Sequence, residues 1–180
     1  KNIQDLLKLS VIIVSYNVKS YLRQCIKTIK RSVGSPAIEI IIIDNYSFDN
    51  SSKMVAKEFP EIKIIQNSKN LGYAKAVNQG INIAKGDVIC LINPDTMIKE
   101  DTLSILLDYL IQDKNIGVIG CKVLDTDGNL QLASRRSFPS MMVSITKYLG
   151  LNKLFPKSRY FGQYNQTFLD ENKIQQVDAV

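Results

Sequence analysis

Short apolar runs alternate with longer amphipathic stretches along this chain. The runs are rich in isoleucine and valine, which is typical of strands that are covered on both faces. Strands are predicted at residues 9–15, 37–43, 62–65, 88–92 and 116–123. The stretches between them repeat apolar residues every three or four positions, as at Leu22, Ile26 and Ile29, which predicts helices. Helices are predicted at residues 20–31, 50–59, 73–84 and about 99–111.

This alternation predicts the fold class. Strands joined by helices usually lie parallel in one sheet, so we expect an α/β fold with three layers, α/β/α, around a mostly parallel central sheet. Asp127 and Gly128 form a strong hairpin signal after the last predicted strand. At 180 residues, with 45% apolar residues, the chain has the size of one globular domain. From Ser134 onward the pattern gives way to a basic and aromatic stretch without clear periodicity.

Polar residues gather where three of the predicted strands end. Ligands of parallel sheets bind at the carboxyl ends of the strands, so these positions are candidates for a binding site. They are Ser15, Tyr16 and Asn17 after the first strand, Asp44, Asn45, Tyr46 and Ser47 after the second, and Asn93, Pro94, Asp95 and Thr96 after the fourth.

The composition excludes several kinds of chemistry. The chain contains no histidine, which removes Ser/His/Asp and Cys/His catalysis and most zinc sites. A formal net charge of +6 favours anionic partners, and a nucleotide diphosphate, a membrane surface and nucleic acid all stay open on charge alone. The three cysteines form no CxxC pattern, so we expect buried thiols in a cytoplasmic protein. No apolar run approaches the ~20 residues that cross a bilayer, so no spanning helix is expected.

Two carboxylates at the strand ends suit nucleotide chemistry. Asp44 follows a buried strand and is expected to project into the cleft, where its carboxylate can accept the N–H of a pyrimidine ring. Asx residues in this position also cap turns, and that alternative stays open. Asp95 follows a rigid proline, where a carboxylate can hold Mg²⁺ or Mn²⁺ while phosphates supply further ligands. A simple turn and helix start is the alternative for Asp95.

Residues 67–80, NSKNLGYAKAVNQG, combine a glycine turn with the start of a helix. Gly72 lets the backbone approach a ligand closely. Lys75 can reach a phosphate or a sugar, although a plain surface lysine fits the pattern equally well. The segment is not a Walker A loop, because it lacks GxxxxGK followed by Ser or Thr. It is not a Rossmann fingerprint either, because it lacks GxGxxG.

Five motifs occur in the order and spacing of a known family. They are VSYN at 14–17, IIDNYSFDNS at 42–51, NLGYAKAVNQG at 70–80, GDVICLINPD at 86–95 and SRRSFPS at 134–140. Together they resemble the family 2 glycosyltransferases, in particular the rhamnosyltransferase-like branch. The resemblance implies a GT-A (Rossmann-like) fold, a divalent metal and inverting transfer from a nucleoside diphosphate sugar, either dTDP-rhamnose or a UDP-sugar. The acceptor would be a saccharide or a lipid-linked saccharide in cell-surface polysaccharide synthesis.

The resemblance also implies roles for individual residues. Asp44 would contact the base, and Asp95 would bind the metal as the last aspartate of the family's DxD motif, with Asn93 in place of the first. The other nucleotide-binding residues would be Ser15, Tyr16, Asn17, Asn45, Ser47, Asn70, Gly72, Lys75 and Asn93. Arg135 and Arg136 match a basic pair on the diphosphate or acceptor side. Residues 1–133 would form the donor-binding core of one GT-A domain, and 134–180 the start of its acceptor side.

The family's general base lies in an acidic motif downstream of a VDxV-like stretch, and this chain ends in VDAV at residues 177–180. We therefore expect the catalytic base beyond Val180 and a chain that is slow or inactive alone. Two other functions stay open, a non-catalytic nucleotide-sugar-binding module and a sugar nucleotidyltransferase, although SYNVKSYL lacks the glycines of the latter's loop. Residues 147–164 favour peripheral contact with the inner face of the cell membrane, and they lack the spacing of a nucleic-acid-binding motif.

Overall fold

A four-stranded sheet with all strands parallel lies at the centre of the first half of the chain in this computed structural model. The structure describes residues 7–34, 37–175 and 177. The strands are β1 (Lys8–Ser15), β2 (Ala37–Asp44), β3 (Lys63–Gln66) and β4 (Val88–Leu91). Their order across the sheet is β3-β2-β1-β4, so β1 and β2 occupy its middle.

Helices connect successive strands and cover the sheet on both faces. They are α1 (Lys19–Lys30), α2 (Ser51–Glu58), α3 (Tyr73–Ile83) and α4 (Thr102–Gln112). Val11 and Ile13 of β1 pack into a core with residues of α1, α2 and α4, whereas Ile12 packs with Ala76 of α3. Successive side chains of a strand point to opposite faces, so this alternation produces three layers. The predicted α/β/α fold with a parallel sheet is confirmed.

The boundaries of these elements agree with the sequence predictions to within about three residues, but one predicted strand is wrong. Residues 116–123 form no strand, and Val118 is exposed. An apolar, β-branched run becomes a strand only where a neighbouring strand satisfies its backbone groups, and the pairing found nearby is a single antiparallel bridge between Leu124 and Leu130. The turn predicted at Asp127 and Gly128 lies inside that bridge, and Gly128 has a positive φ of 83°.

Contacts between residues divide the chain into two compact units, Lys1–Gly117 and Val118–Val180. The second unit contains a single 3-10 turn, Leu132–Ser134, and two short helices, α5 (Met141–Tyr148) and α6 (Leu151–Leu154), within its described residues. Helix α5 begins after Ser140, whose side chain accepts a hydrogen bond from the backbone of Val143. The boundary predicted between residues 133 and 134 divides the donor-binding core from the acceptor side. That functional division stays a prediction.

A partly buried carboxylate joins three segments at the amino ends of the strands. The carboxylate of Glu39, on β2, accepts hydrogen bonds from Ser10 Oγ at 2.6 Å and from Lys63 Nζ at 3.0 Å. It also accepts one from the backbone N–H of Lys85. Burial alone would raise the pKa of Glu39, but these donors together lower it to about 2. The ionised side chain therefore stabilises the edge of the sheet opposite the candidate site.

Replacing Glu39 with glutamine is expected to lower the free energy of unfolding at pH 7 by about 1–3 kcal/mol, because the hydrogen bonds to a charged acceptor are lost. The pKa of Glu39 is lower in the folded state, so its contribution is complete above pH 4.5 and disappears as the pH falls towards 2. Urea denaturation at pH 7 and at about pH 3 checks this. The difference between wild type and variant should shrink at the lower pH.

The matched control is Glu100→Gln, because the Glu100 side chain is exposed. That substitution should change stability little at either pH. An equal loss of stability for Glu39→Gln at both pH values would contradict the role assigned to its charge.

Candidate functional site

The carboxyl ends of β1, β2 and β3 are joined by hydrogen bonds that continue beyond the strands. Ser15 lies opposite Asp44 in the register of β1 and β2. The backbone N–H of Asn45 donates to Ser15 O at 2.8 Å, and that of Asn67 donates to Asp44 O at 2.9 Å. The first two predicted clusters therefore lie side by side at this edge, with the start of the segment 67–80 next to them.

The loops after β1 and β2 are fixed to each other by side chains of the predicted site. The backbone N–H of Asn17 donates to Ser47 Oγ at 3.0 Å, and the backbone N–H of Phe48 donates to Asn17 Oδ1 at 2.8 Å. Asn17 and Tyr46 both have a positive φ, 55° and 78° respectively. Residues other than glycine adopt this conformation at a cost, so the surrounding hydrogen bonds hold a strained arrangement. The Tyr16 side chain is about half exposed beside this junction.

The buried side chain of Asn45 braces the loop between β3 and α3. Its Oδ1 accepts hydrogen bonds from Leu71 N at 3.0 Å and from Asn67 Nδ2 at 3.2 Å. Its Nδ2 donates to Asn70 Oδ1 at 2.9 Å, and the same oxygen accepts a hydrogen bond from Gly72 N. Asn45 therefore uses its donor and its acceptor within the protein, which makes it a support for the loop that carries Asn70 and Gly72.

Two further amides complete this network, and their roles in it were not predicted from the sequence. Asn67 and Gln79 exchange two side-chain hydrogen bonds, both at 2.9 Å, which join the end of β3 to α3. The strand-end rule that selected Asp44 and Asn93 also applies to β3, and it would have selected Asn67. No comparable signal marks Gln79, because it lies inside a helix.

Asp44 is the most enclosed charged residue of the predicted site. Its side chain is only 4% exposed, so it is more deeply buried than a residue that projects into an open cleft. Its Oδ1 is shielded from solvent and has no hydrogen-bond partner among the described residues, and the same is true of the Oγ of Ser15. A buried polar atom without a partner costs free energy, so these two atoms are suited to a partner from outside the described residues.

The segment after β4 places Asn93 and Asp95 at the same edge of the sheet, and both are exposed. The β4 strand pairs with β1 on the side away from β2, so the strands β2 and β4 lie about 10 Å apart across the sheet. The carbonyl of Asn93 accepts a hydrogen bond from Cys25 Sγ at 3.6 Å. Burial, and to a smaller extent the charge of Asp95, raises the pKa of the Cys25 thiol to about 12. The thiol is therefore protonated and unreactive at neutral pH.

Asp95 has few partners for holding a metal. Within residues 7–34, 37–175 and 177, no group of three or more His, Cys, Asp or Glu side chains could bind an ion. A Mg²⁺ or Mn²⁺ ion bound by one or two carboxylates takes its remaining ligands from phosphates and water. The exposed carboxylate of Asp95 fits that kind of site, in which the nucleotide brings most of the ligands.

Gly72 and Lys75 lie where the braced loop enters α3. Gly72 has a positive φ of 80°, and a Cβ at this position would meet nothing within 4 Å. The glycine is thus required by its backbone conformation, and the space beside it is open. Lys75 is exposed in the first turn of α3 and makes no ion pair in the described part of the chain.

The basic pair predicted for the diphosphate or acceptor side lies in the second unit. Arg135 is partly buried and donates from Nη2 to Leu169 O at 3.4 Å. Arg136 is exposed, with its guanidinium carbon 5.7 Å from the ring centre of Tyr164. Both arginines are therefore partly engaged within their own unit. Asp178, which belongs to the VDAV segment, lies outside the described residues.

The structure also tests the prediction of buried cysteines. Cys25 is buried as predicted and Cys90 is partly buried, but Cys121 is exposed, so the prediction of three buried thiols is wrong. Cys121 falls in the stretch that was wrongly predicted as a strand, which explains the error. No helix in the described residues is long and apolar enough to span a membrane.

Curated proteins with similar sequences include named glycosyltransferases. Glycosyltransferase GlyG of Streptococcus pneumoniae serotype 4 is 30% identical over 114 residues, which are 62% of this chain and 37% of that protein. The N-acetylglucosaminyl-diphospho-decaprenol L-rhamnosyltransferase of Mycobacterium tuberculosis is 23% identical over 176 residues, 92% of this chain and 56% of that protein. The chain thus spans between about a third and a little over half of the length of these relatives.

Solved structures share the fold. S. aureus TarS, residues 1–349, in complex with UDP-GlcNAc superposes with a TM-score of 0.60 at 20% identity, over 89% of this chain and 53% of that one. Mannosyltransferase PcManGT from Pyrobaculum calidifontis, in complex with GDP-Man and Mn²⁺, gives 0.58 at 22% identity, over 65% and 35% of the two chains. Both likenesses support the GT-A-like arrangement of sheet and helices.

A family profile matches most of the sequence. The match runs over residues 10–172 and includes all five motifs of the sequence analysis. It begins in β1 and extends through α5 and α6, so it covers parts of both structural units. The chain belongs to glycosyl transferase family 2.

Proposed function

We propose that this chain binds the nucleoside diphosphate of a sugar donor at the carboxyl edge of its sheet, as the donor-binding part of an inverting glycosyltransferase. The observation that carries the proposal is the enclosed carboxylate of Asp44, whose Oδ1 has no partner in the described residues. Family membership supports the reaction class, and the neighbouring loops supply groups suited to the rest of a nucleotide.

Asp44 suits a uracil or thymine base. Both bases carry an N–H at ring position 3, which a carboxylate oxygen accepts strongly because the acceptor is charged. Ser15 lies opposite Asp44 and offers a second buried oxygen without a partner, which can donate to or accept from the base. The Tyr16 ring and the fixed turn of Asn17 and Ser47 form the border of this base site.

The ribose and diphosphate follow towards the loop that Asn45 braces. Asn70, held by Asn45, borders the ribose, and the open backbone at Gly72 lets a phosphate come close. The exposed ammonium group of Lys75 adds positive charge in the first turn of α3, where the helix dipole also favours an anion.

Asp95, with Asn93 beside it, would hold Mg²⁺ or Mn²⁺ against the diphosphate. When bound, such a metal offsets the negative charge that develops on the departing nucleoside diphosphate. The mannosyltransferase structure with GDP-Man and Mn²⁺ supports this choice of metals for the fold. In the complete reaction a carboxylate removes the proton of the acceptor hydroxyl, and none of the described carboxylates is assigned this role.

The donor and the acceptor are proposed from the relatives. The rhamnosyltransferase among them favours dTDP-rhamnose, and the TarS complex favours a UDP-sugar. The diphospho-decaprenol in the rhamnosyltransferase's name favours a saccharide or lipid-linked acceptor in cell-surface polysaccharide synthesis, with Arg135 and Arg136 on the diphosphate or acceptor side. Work on such an acceptor takes place at the cytoplasmic face of the membrane.

Calorimetric titration with UDP, dTDP and GDP, each with and without Mn²⁺, tests the proposal. We expect UDP or dTDP to bind more tightly than GDP, and Mn²⁺ to strengthen binding of the preferred nucleotide. Absence of binding to all three nucleotides, with and without Mn²⁺, would overturn the proposal for this chain.

A further inference from the structure

Helix α5 carries an exposed apolar stripe. The side chains of Val143 and Thr146 are buried, and those on the opposite side of the helix are exposed and apolar. These exposed residues are Met141, Met142, Ile145, Tyr148 and Leu149. With 3.6 residues per turn they fall within an arc of about 120°, which is a continuous face. Met141 is 82% exposed and Tyr148 is 92% exposed, values that would be unusual for residues with no partner surface.

The apolar surface continues beyond α5. Gly150 has a positive φ of 70° and reverses the chain into α6, which packs against α5. Leu154 and Phe155 at the end of α6 are mostly exposed, as is Tyr160 a few residues later. Methionine, leucine and aromatic side chains on a short amphipathic helix pair are typical of proteins that lie at a membrane interface.

The charge of the chain is concentrated in the same segment. Of the 23 lysines and arginines, six lie in residues 128–169, which contain none of the 17 acidic residues. The rest of the chain therefore carries 17 basic and 17 acidic residues, so this segment accounts for the whole net charge of +6. The six are Arg135, Arg136, Lys147, Lys153, Lys157 and Arg159.

An apolar face in a segment whose charged residues are all basic is complementary to an anionic lipid surface. A purely apolar partner would gain nothing from the lysines, and a nucleic acid would gain little from the exposed methionines and leucine. An anionic bilayer satisfies both groups, because apolar side chains enter the acyl boundary while lysines remain at the phosphate level. In a symmetric dimer on this face, the six positive charges of one copy would lie against the six of the other, and their repulsion disfavours such a dimer.

We propose that α5 and α6 form a peripheral membrane-binding surface, with Met141, Ile145 and Tyr148 entering the interface of an anionic leaflet and Lys153 and Lys157 contacting its phosphates. This surface is independent of the proposed nucleotide site, since both helices lie in the second unit. It would hold the protein where lipid-linked substrates are found, which goes beyond the proposed donor binding.

Co-sedimentation with vesicles tests this surface. The chain should bind phosphatidylcholine vesicles that contain about 30% phosphatidylglycerol, and should bind pure phosphatidylcholine at least about tenfold more weakly. The Lys153→Glu, Lys157→Glu double variant should lower the partition constant by about 25-fold, because each lysine near an anionic surface contributes about fivefold. The Ile145→Ser, Tyr148→Ser double variant should lower it by about tenfold.

Matched controls come from the first unit. Ile105 is 46% exposed, as is Ile145, and Tyr109 is 40% exposed, so Ile105→Ser with Tyr109→Ser makes the same two kinds of substitution at exposed apolar residues elsewhere. Lys53→Glu with Lys114→Glu makes the same charge change outside the segment. Both control variants should bind the vesicles like the wild type, and nucleotide titration and circular dichroism should show that every variant is folded.

Several results would overturn the proposal. Absence of binding to anionic vesicles would do so, as would equal losses in the α5–α6 variants and in the controls. If the lysine substitutions weakened vesicle binding and the Ile145 and Tyr148 substitutions did not, the surface would be a general binding site for polyanions. Equally tight binding of the chain to duplex DNA would support that alternative. A dimer in sedimentation equilibrium that Ile145→Ser dissociates, without vesicle binding, would assign the face to a second copy of the chain.

Discussion

Replacing Asp44 with alanine is expected to weaken the binding of UDP or dTDP by about 10- to 100-fold, because a hydrogen bond to a charged acceptor is worth about 1.5–3 kcal/mol. Asp44 is enclosed at the end of β2, and its Oδ1 has no partner in the described residues. The loss should be similar with and without Mn²⁺, since the proposed function places the carboxylate against the base and not against the diphosphate. Calorimetric titration of both nucleotides measures the effect.

The control for loss of one negative charge is Asp108→Ala, on α4. It should leave nucleotide affinity within about twofold of the wild type, because screened charges far from a ligand contribute little. Asp44→Asn keeps the shape of the side chain and removes its charge, and its melting temperature should equal or exceed that of the wild type, because a buried charge without a partner is costly. An unchanged affinity in Asp44→Ala would refute the assignment of the base site.

Replacing Gly86 with alanine is expected to lower the free energy of unfolding by about 3 kcal/mol, at the upper end of the usual cost of overpacking. A Cβ at this position would lie 2.5 Å from the backbone nitrogen of Ser10 and 2.8 Å from the carbonyl oxygen of Lys8. Both are backbone atoms of β1, so they can move only if β4 separates from β1. The hydrogen bond from Gly86 N to Ser10 Oγ at 2.8 Å would be lost as well.

Urea denaturation followed by circular dichroism measures this cost, and Gly117→Ala is the matched control. A Cβ at Gly117 would meet nothing within 4 Å, and its φ is not in the left-handed region, so alanine should be neutral there or slightly stabilising. If Gly86→Ala unfolded at the same urea concentration as the wild type, that result would contradict the close approach of Gly86 to the backbone of β1.

The fold of the first unit could be predicted because its two central strands, β1 and β2, are largely buried on both faces. Continuous runs of isoleucine and valine, such as the one in β2, have one stable location, the middle of a parallel sheet. The carboxyl ends of those strands then had to meet at one edge, which is why Ser15 and Asp44 were both predicted there, and the structure pairs them directly. Local sequence and the rule for parallel sheets were sufficient here.

The second unit was harder to predict, for a physical reason. Residues 116–123 have the composition of a strand, but strand formation depends on a partner elsewhere in the chain, which composition does not report. The exposure of Cys121 follows from the same error. The helices α5 and α6 are short, and much of their apolar surface faces outward, so the hydrophobic pattern alone did not define them.

Within the site, the sequence identified the residues but not how they support one another. Asn45 was predicted as one of the nucleotide-binding residues, and the structure shows its side chain bracing the loop that carries Asn70 and Gly72. The exchange of hydrogen bonds between Asn67 and Gln79 depends on the distance between a strand end and a helix. Such distances are properties of the packed structure, and residue spacing does not determine them.

The most direct test of the account compares UDP with N3-methyl-UDP, in which the N–H proposed to donate to Asp44 is replaced by a methyl group. Titrating both nucleotides into the wild type and into Asp44→Ala isolates the interaction between that N–H and the carboxylate. The account predicts that methylation weakens binding to the wild type by at least about tenfold and changes binding to the variant by less than about threefold. Equal effects of methylation on both proteins would contradict the claim that Asp44 recognises the base.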